Sequence, residues 1–102
     1  MSDAVAASRF AAMGHPHRVA LMRLLVRMGG EGLNVTAIRQ SLQIPLSTLN
    51  HHLRILVDAE LVSQSREGRD LVSKANFPTI VSLQHFLMED CCKGAFETNP
   101  SP

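Results

Sequence analysis

The sequence predicts a mainly α-helical domain with one small β-hairpin placed before its last helix. Three observations predict it. Apolar residues recur at i, i+3, i+4 and i+7 over several stretches, the spacing of one helix face. Pro or Gly opens or closes those stretches. A single pair of β-prone runs, LVSQSR and DLVSKA within residues 61–75, breaks the helical pattern.

The chain has 102 residues, enough for one domain with one core. It is 45% hydrophobic and 19% charged, so it should fold. With four Phe and no Trp or Tyr, aliphatic residues and Met must fill the core, which favours helices. No repeat or linker divides it. Residues 1–92 read as the folded domain and 93–102 as a flexible tail.

A first helix over 3–12 should pack Val5, Phe10 and Met13 inward. A second spans 16–28, with Pro16 in its first turn and Leu21, Leu24, Leu25 and Met28 on one stripe. Arg18, Arg23 and Arg27 lie off that stripe, and Gly29-Gly30 stops the helix. A third covers 35–42, with Asn34 as its N-cap. After a tight connection, Pro45 opens a fourth helix, 45–58. Its Leu46, Leu49, Leu53 and Leu56 form a buried stripe, while Ser47, Asn50, His51, Arg54 and Asp58 follow helical spacing on the opposite face. In the hairpin, Glu67-Gly68 should supply the turn, flanked by Arg66 and Arg69. A last helix, 78–92, places Ile80, Leu83, Leu87 and Cys91 on one stripe and Val81, Met88 and Cys92 on a second.

Charge is unevenly spread although the formal total is only +1. Arg9, Arg18, Arg23, Arg27, Arg39 and Arg54 face only Asp3 and Glu31 in residues 1–56, while acids outnumber bases beyond them. Such asymmetry points to a nucleic-acid partner. No apolar run approaches the ~18 residues of a membrane helix. The N-terminus lacks the basic start and apolar core of a signal peptide. A cytoplasmic location is expected, with Cys91 and Cys92 as free thiols.

Three helices, a tight turn, a fourth helix, a hairpin and a last helix make a winged helix-turn-helix, ααααββα. In such a domain the helix after the turn enters the major groove and reads base edges with its N-terminal half. Ser47, Thr48, Asn50 and His51 can donate to or accept from base edges or phosphates, and Arg54 can meet a phosphate or a guanine edge. Arg66 and Arg69 of the hairpin, and Arg39 of the third helix, are placed for the backbone. A polar helix face can also be merely solvated, so an interaction module without DNA binding stays open. An enzyme does not fit: the chain has no nucleophile–base motif and no Gly-rich phosphate loop.

At SRFAAMGHPHRVALMRLL and LSTLNHHLRILVDAELVSQSREGRDLVSKAN the sequence resembles the ArsR/SmtB-type winged-helix repressors. The resemblance covers about residues 8–90. It departs at Glu60, where the family often has Gly, and at Ser73, where it often has an aromatic. It implies a homodimer built on the first and last helices. It also implies repression of an operon until an inducer releases the dimer from operator DNA. It makes His15 and His17 structural parts of an opening motif, and His52 a packing residue.

Cys91 and Cys92 are the only cysteines. The arsenite site of the resembling family, a Cys-x-Cys on the third helix, is absent because residues 35–42 hold no Cys, and His85 with Glu89 lacks the second pair of that family's last-helix zinc site. Two soft thiolates favour a thiophilic inducer. Inorganic arsenite or antimonite calls for three thiolates, whereas a monomethylated trivalent arsenical has two open positions that a Cys pair satisfies. On a helix the two side chains point about 100° apart, so binding should distort the helix end. A thiol redox or persulfide signal is the alternative. No other cofactor is required.

Overall fold

The computed structural model describes residues 1–94. Five helices surround a three-stranded sheet: α1 (Asp3–Met13), α2 (Pro16–Met28), β1 (Leu33–Asn34), α3 (Val35–Leu42), α4 (Leu46–Asp58), β2 (Val62–Glu67), β3 (Asp70–Ala75) and α5 (Phe77–Met88). The sheet order is β1-β3-β2, all antiparallel.

The core forms where the leucine stripes of α2 and α4 meet. Leu21, Met22, Leu24 and Leu25 of α2 pack with Ile38, Leu49, Leu53 and Leu56, and Leu61, Val62 and Ala75 close the cluster from the hairpin side. Each such side chain contributes roughly 1.5–3 kcal/mol on leaving water. From α5 only Leu83 is fully committed, with Ile80 and Phe86 half-buried beside it.

Local chemistry sets the boundaries. Asn34 caps α3, its Oδ1 accepting from the Ala37 amide at 2.8 Å. Gln43 takes the left-handed conformation, φ 54°, that turns the chain between α3 and α4. Helix α4 ends in a Schellman motif: the Glu60 amide donates to the Val57 carbonyl and the Leu61 amide to that of Leu56, both at 2.9 Å. Glu60 itself adopts φ 60°, where the resembling family often has Gly. Arg9 holds it from α1, donating to the Glu60 carboxylate at 2.8 Å and to the Ala59 carbonyl at 3.3 Å.

The strand β1 was not expected. It pairs Leu33 with Ser73 and Asn34 with Val72. Gly32 makes the approach possible: with φ 66°, a Cβ there would lie 2.4 Å from the Ser73 carbonyl oxygen. Ser73 is wholly buried, and its hydroxyl accepts from the Gln64 side chain at 3.1 Å.

Several expectations are corrected. Val5 and Phe10 of α1 are exposed, and small Ala6 and Ala12 form its buried face, because α1 lies close against α2 and α4. Pro45 is the N-cap of α4, not its first residue, and Leu46 is 42% exposed because it sits one turn before the core begins. The hairpin turns at Gly68-Arg69, since Glu67 pairs with Asp70; positive φ at Gly68 alone fits a type II′ turn. Helix α5 stops at Met88 instead of 92, and Leu87 is exposed: none of the described residues covers that side of the helix. Residues 93 and 94 form an exposed turn; the rest of the expected tail, 95–102, lies outside the described residues.

Candidate nucleic-acid interface and thiol pair

Burying Leu49, Leu53 and Leu56 turns the other side of α4 outward. Ser47, Asn50, His51 and Arg54 are exposed and Thr48 is half-buried, as the helical spacing requires. Asn50 and Arg54 line a cleft of about 370 Å³ with Gln64 and Leu71 of the hairpin. Thus the helix after the turn and the wing share one surface. Arg66 and Arg69 stand exposed at the wing tip, and Arg39 is exposed on α3 beside the connection to α4. Among the described residues, none of Arg39, Arg54, Arg66 and Arg69 forms an ion pair. Of the wing's two acids, Glu67 is occupied: Lys74 meets it at 3.0 Å, and hydrogen bonds from Lys74 and Ser65 hold that carboxyl below its usual range.

The second candidate site lies beyond the end of α5. Cys91 and Cys92 are exposed in a turn, where Cys91 donates its amide to the Met88 carbonyl at 2.9 Å and Cys92 takes φ 67°. The two Sγ atoms are 3.1 Å apart. Their expected helical divergence is therefore corrected: leaving the helix lets neighbouring side chains converge. The Cys91 thiol is pushed up by its hydrogen bond with Cys92 and by that neighbour's charge. Lys93 and Asp90 pair at 3.2 Å across the same turn.

Sequence reasoning missed a histidine cluster. His52, on the inner side of α4, is buried against His15 and His17 at the start of α2, and Arg18 meets its Nδ1 at 3.2 Å. Burial, then the neighbouring His15 and Arg18, push the His52 pKa below its ordinary value. The alternating His15-Pro16-His17 stretch was visible, but its third member comes from a distant helix.

A helix-turn-helix with its outward helix face beside a basic wing defines the winged helix-turn-helix class of DNA-binding domain. The family model described as a helix-turn-helix domain matches residues 13–64, which run from the end of α1 into β2. The chain belongs to this helix-turn-helix family. It is 38% identical over 63 residues to an uncharacterised helix-turn-helix-type transcriptional regulator of Methanocaldococcus jannaschii, covering 62% of this chain and 68% of that one. In fold it matches an ArsR-like transcriptional regulator from Rhodococcus sp. RHA1, with TM-score 0.79 at 20% identity over 92% of this chain and 86% of that one. It also matches the homodimeric winged helix-turn-helix DNA-binding domain of a possible ArsR-family regulator from Mycobacterium bovis, with TM-score 0.65 at 21% identity over 87% and 93%. The protein is a transcriptional regulator of the helix-turn-helix type, and its fold is that of the ArsR-like regulators it matches.

Proposed function

We propose that the protein is a homodimeric repressor that leaves its operator when a trivalent arsenical or antimonial bridges Cys91 and Cys92. The observation that carries the inducer reading is the 3.1 Å separation of two exposed sulfurs. One soft atom can join both with little movement of the backbone. A monosubstituted trivalent arsenical carrying two hydroxyls would exchange them for the two thiolates, each thiol proton leaving with a hydroxyl as water. A disulfide between neighbours is strained, because adjacent Cα atoms lie about 3.8 Å apart against about 5.5–6 Å in ordinary disulfides, so the arsenical reading is favoured over the redox one.

Dimerisation is supported by the apolar residues that one chain leaves uncovered. Val5 and Phe10 on α1, and Val81, Leu87 and Met88 on α5, are exposed. The similar domain from Mycobacterium bovis is homodimeric. In the proposed dimer, Ser47, Thr48, Asn50, His51 and Arg54 of each protomer read one half-site, and Arg39, Arg66 and Arg69 hold phosphates. The thiol turn follows Leu87 and Met88 directly. A bridging arsenical would fix that turn beside the interface and shift the spacing of the two reading helices, so that DNA affinity falls by linkage.

The test is fluorescence anisotropy of the reduced protein on the promoter DNA beside its own gene. Binding should weaken steeply with salt, because phosphate contacts release counterions. Phenyl- or methylarsenic(III) should release the DNA, and zinc should not. Tight binding that only a persulfide or peroxide disturbs would replace the arsenical with a redox signal. Absence of salt-dependent binding would leave an interaction module.

A further inference from the structure

The histidine cluster on the inner side of α4 plays no part in the proposed DNA contacts or in the thiol chemistry. His15 is the N-cap of α2, and its Nδ1 accepts from the His17 amide at 3.0 Å. This bond, with Pro16 fixing the first turn, sets both rings on one side of the helix start. His52 projects from α4 into the same space. The ring centres lie 4.6 Å (His15–His52), 5.2 Å (His15–His17) and 5.5 Å (His17–His52) apart. One nitrogen from each ring falls within 4.8 Å of the other two.

Three imidazoles on one tetrahedral ion, each nitrogen at about 2.0–2.1 Å, hold their ring centres about 5 Å apart. The observed centres already match that spread, so side-chain rotation alone would bring the nitrogens together. His17 is exposed and can make most of that adjustment, while His52 is buried and fixed. From this geometry we infer that His15, His17 and His52 form a binding site for a divalent transition-metal ion of the zinc, cobalt or nickel type. Neutral imidazole suits this group of metals. The exposed side, at His17, leaves room for water as a further ligand.

Two details of the cluster shape the site. His52 is buried, and a neutral imidazole there has one nitrogen lone pair to give. The guanidinium of Arg18, which can only donate, faces its Nδ1, so the ring proton sits on Nε2. An ion taken at Nδ1 would replace Arg18 there. An ion taken at Nε2 would send the ring proton to Nδ1, opposite a donor. Either way Arg18 must leave His52. The charged and titratable groups around the cluster are Arg18 and His51. Occupation would therefore exchange one tie between α2 and α4, a hydrogen bond, for a coordinated one.

The test is titration of the full chain carrying Cys91→Ser and Cys92→Ser, so that thiolates cannot capture the ion. Cobalt(II) would be followed by visible absorption and zinc by calorimetry. The expected result is saturation at one ion per chain, with the intense visible bands of low-coordinate cobalt. His17→Ala should lower affinity by at least about tenfold, the scale seen even for groups that only support a ligand. Its exposure lets that variant keep its fold, which far-ultraviolet circular dichroism would verify. His85→Ala, on the exposed side of α5, should leave metal affinity unchanged. No saturable binding, or binding that survives His17→Ala in full, would overturn the site. So would equal losses in His17→Ala and His85→Ala.

Discussion

Helices α4 and α5 have similar length and α5 is the more apolar, yet it is α4 that the fold buries more fully. In α4, Leu49 and Leu56 are 0% exposed, and the polar side chains other than His52 lie on the other face. In α5 only Leu83 is buried, while Leu87 is 64% and Met88 61% exposed. One helix is completed by its own chain. The other presents apolar surface that no described residue covers, next to two exposed sulfurs. Hydrophobic periodicity separates them only in part, as one leucine stripe opposite polar residues in α4 and two apolar stripes in α5. It marks which face will be buried, but not whether the covering surface belongs to the same molecule.

The sharpest way to separate the two helices is by truncation. Leu56→Ala should cost roughly 2–5 kcal/mol in urea unfolding, the usual penalty for a large core side chain lost without collapse. Leu87→Ala should leave the unfolding of the dilute chain within about 0.5 kcal/mol, as exposed sites do. It should instead raise the concentration at which protomers associate, read by analytical ultracentrifugation. A large loss of stability in the dilute Leu87 variant would mean that α5 packs more tightly in one chain than it does here.

On the outer side of α4 the expected effects are smaller. Asn50→Ala and Arg54→Ala should each weaken operator binding by about 1–3 kcal/mol with folding intact, if they read base edges. Arg66→Ala and Arg69→Ala at the wing tip should weaken binding to all sequences alike. Each should lower the salt slope by about 1 in an anisotropy titration. If the α4 variants also act evenly on all sequences, α4 holds phosphates and does not read bases.

The smallest effect concerns the joint between α4 and the hairpin. Glu60 holds φ 60°, a conformation that costs a side-chain-bearing residue about 1–2 kcal/mol. Its pair with Arg9 is solvent-exposed on the glutamate side and worth about 0–1 kcal/mol. Glu60→Gly should therefore raise stability by up to about 1 kcal/mol in thermal or urea melts. A decrease would show that the Arg9 tie, which anchors α1 to the end of α4, outweighs the backbone strain.

Much of this architecture was legible in the residues because its signals are local. Asn34 marks the start of α3, Gly29 the end of α2, and the leucine spacing of α4 its buried side. The departures share a cause, since each depends on a partner distant in sequence. The strand β1 has two residues and exists only through its pairing with β3. Val5 and Phe10 have helical apolar spacing, but the close approach of α1 to α2 and α4 admits only alanines. The run Leu83, Leu87, Cys91 continues the helical period past Met88, but Leu87 and Cys91 are exposed and the helix ends at Met88. For the candidate sites, the outward face of α4 could be read from its spacing. The convergence of Cys91 with Cys92 could not, because it arises from leaving the helix, and the meeting of His15, His17 and His52 needed the packing of α2 on α4.

The account rests most on the link between the thiol turn and the reading face. It is tested most directly by the release of operator DNA from the native protein and from the Cys91→Ser and Cys92→Ser variants, titrated with phenylarsenic(III) and followed by fluorescence anisotropy. Equal operator affinity in all three without the arsenical, with release from the native dimer alone, is the predicted result. Release that persists in either serine variant, or a native complex that the arsenical leaves intact, would contradict the claim that Cys91 and Cys92 act together as the sensor.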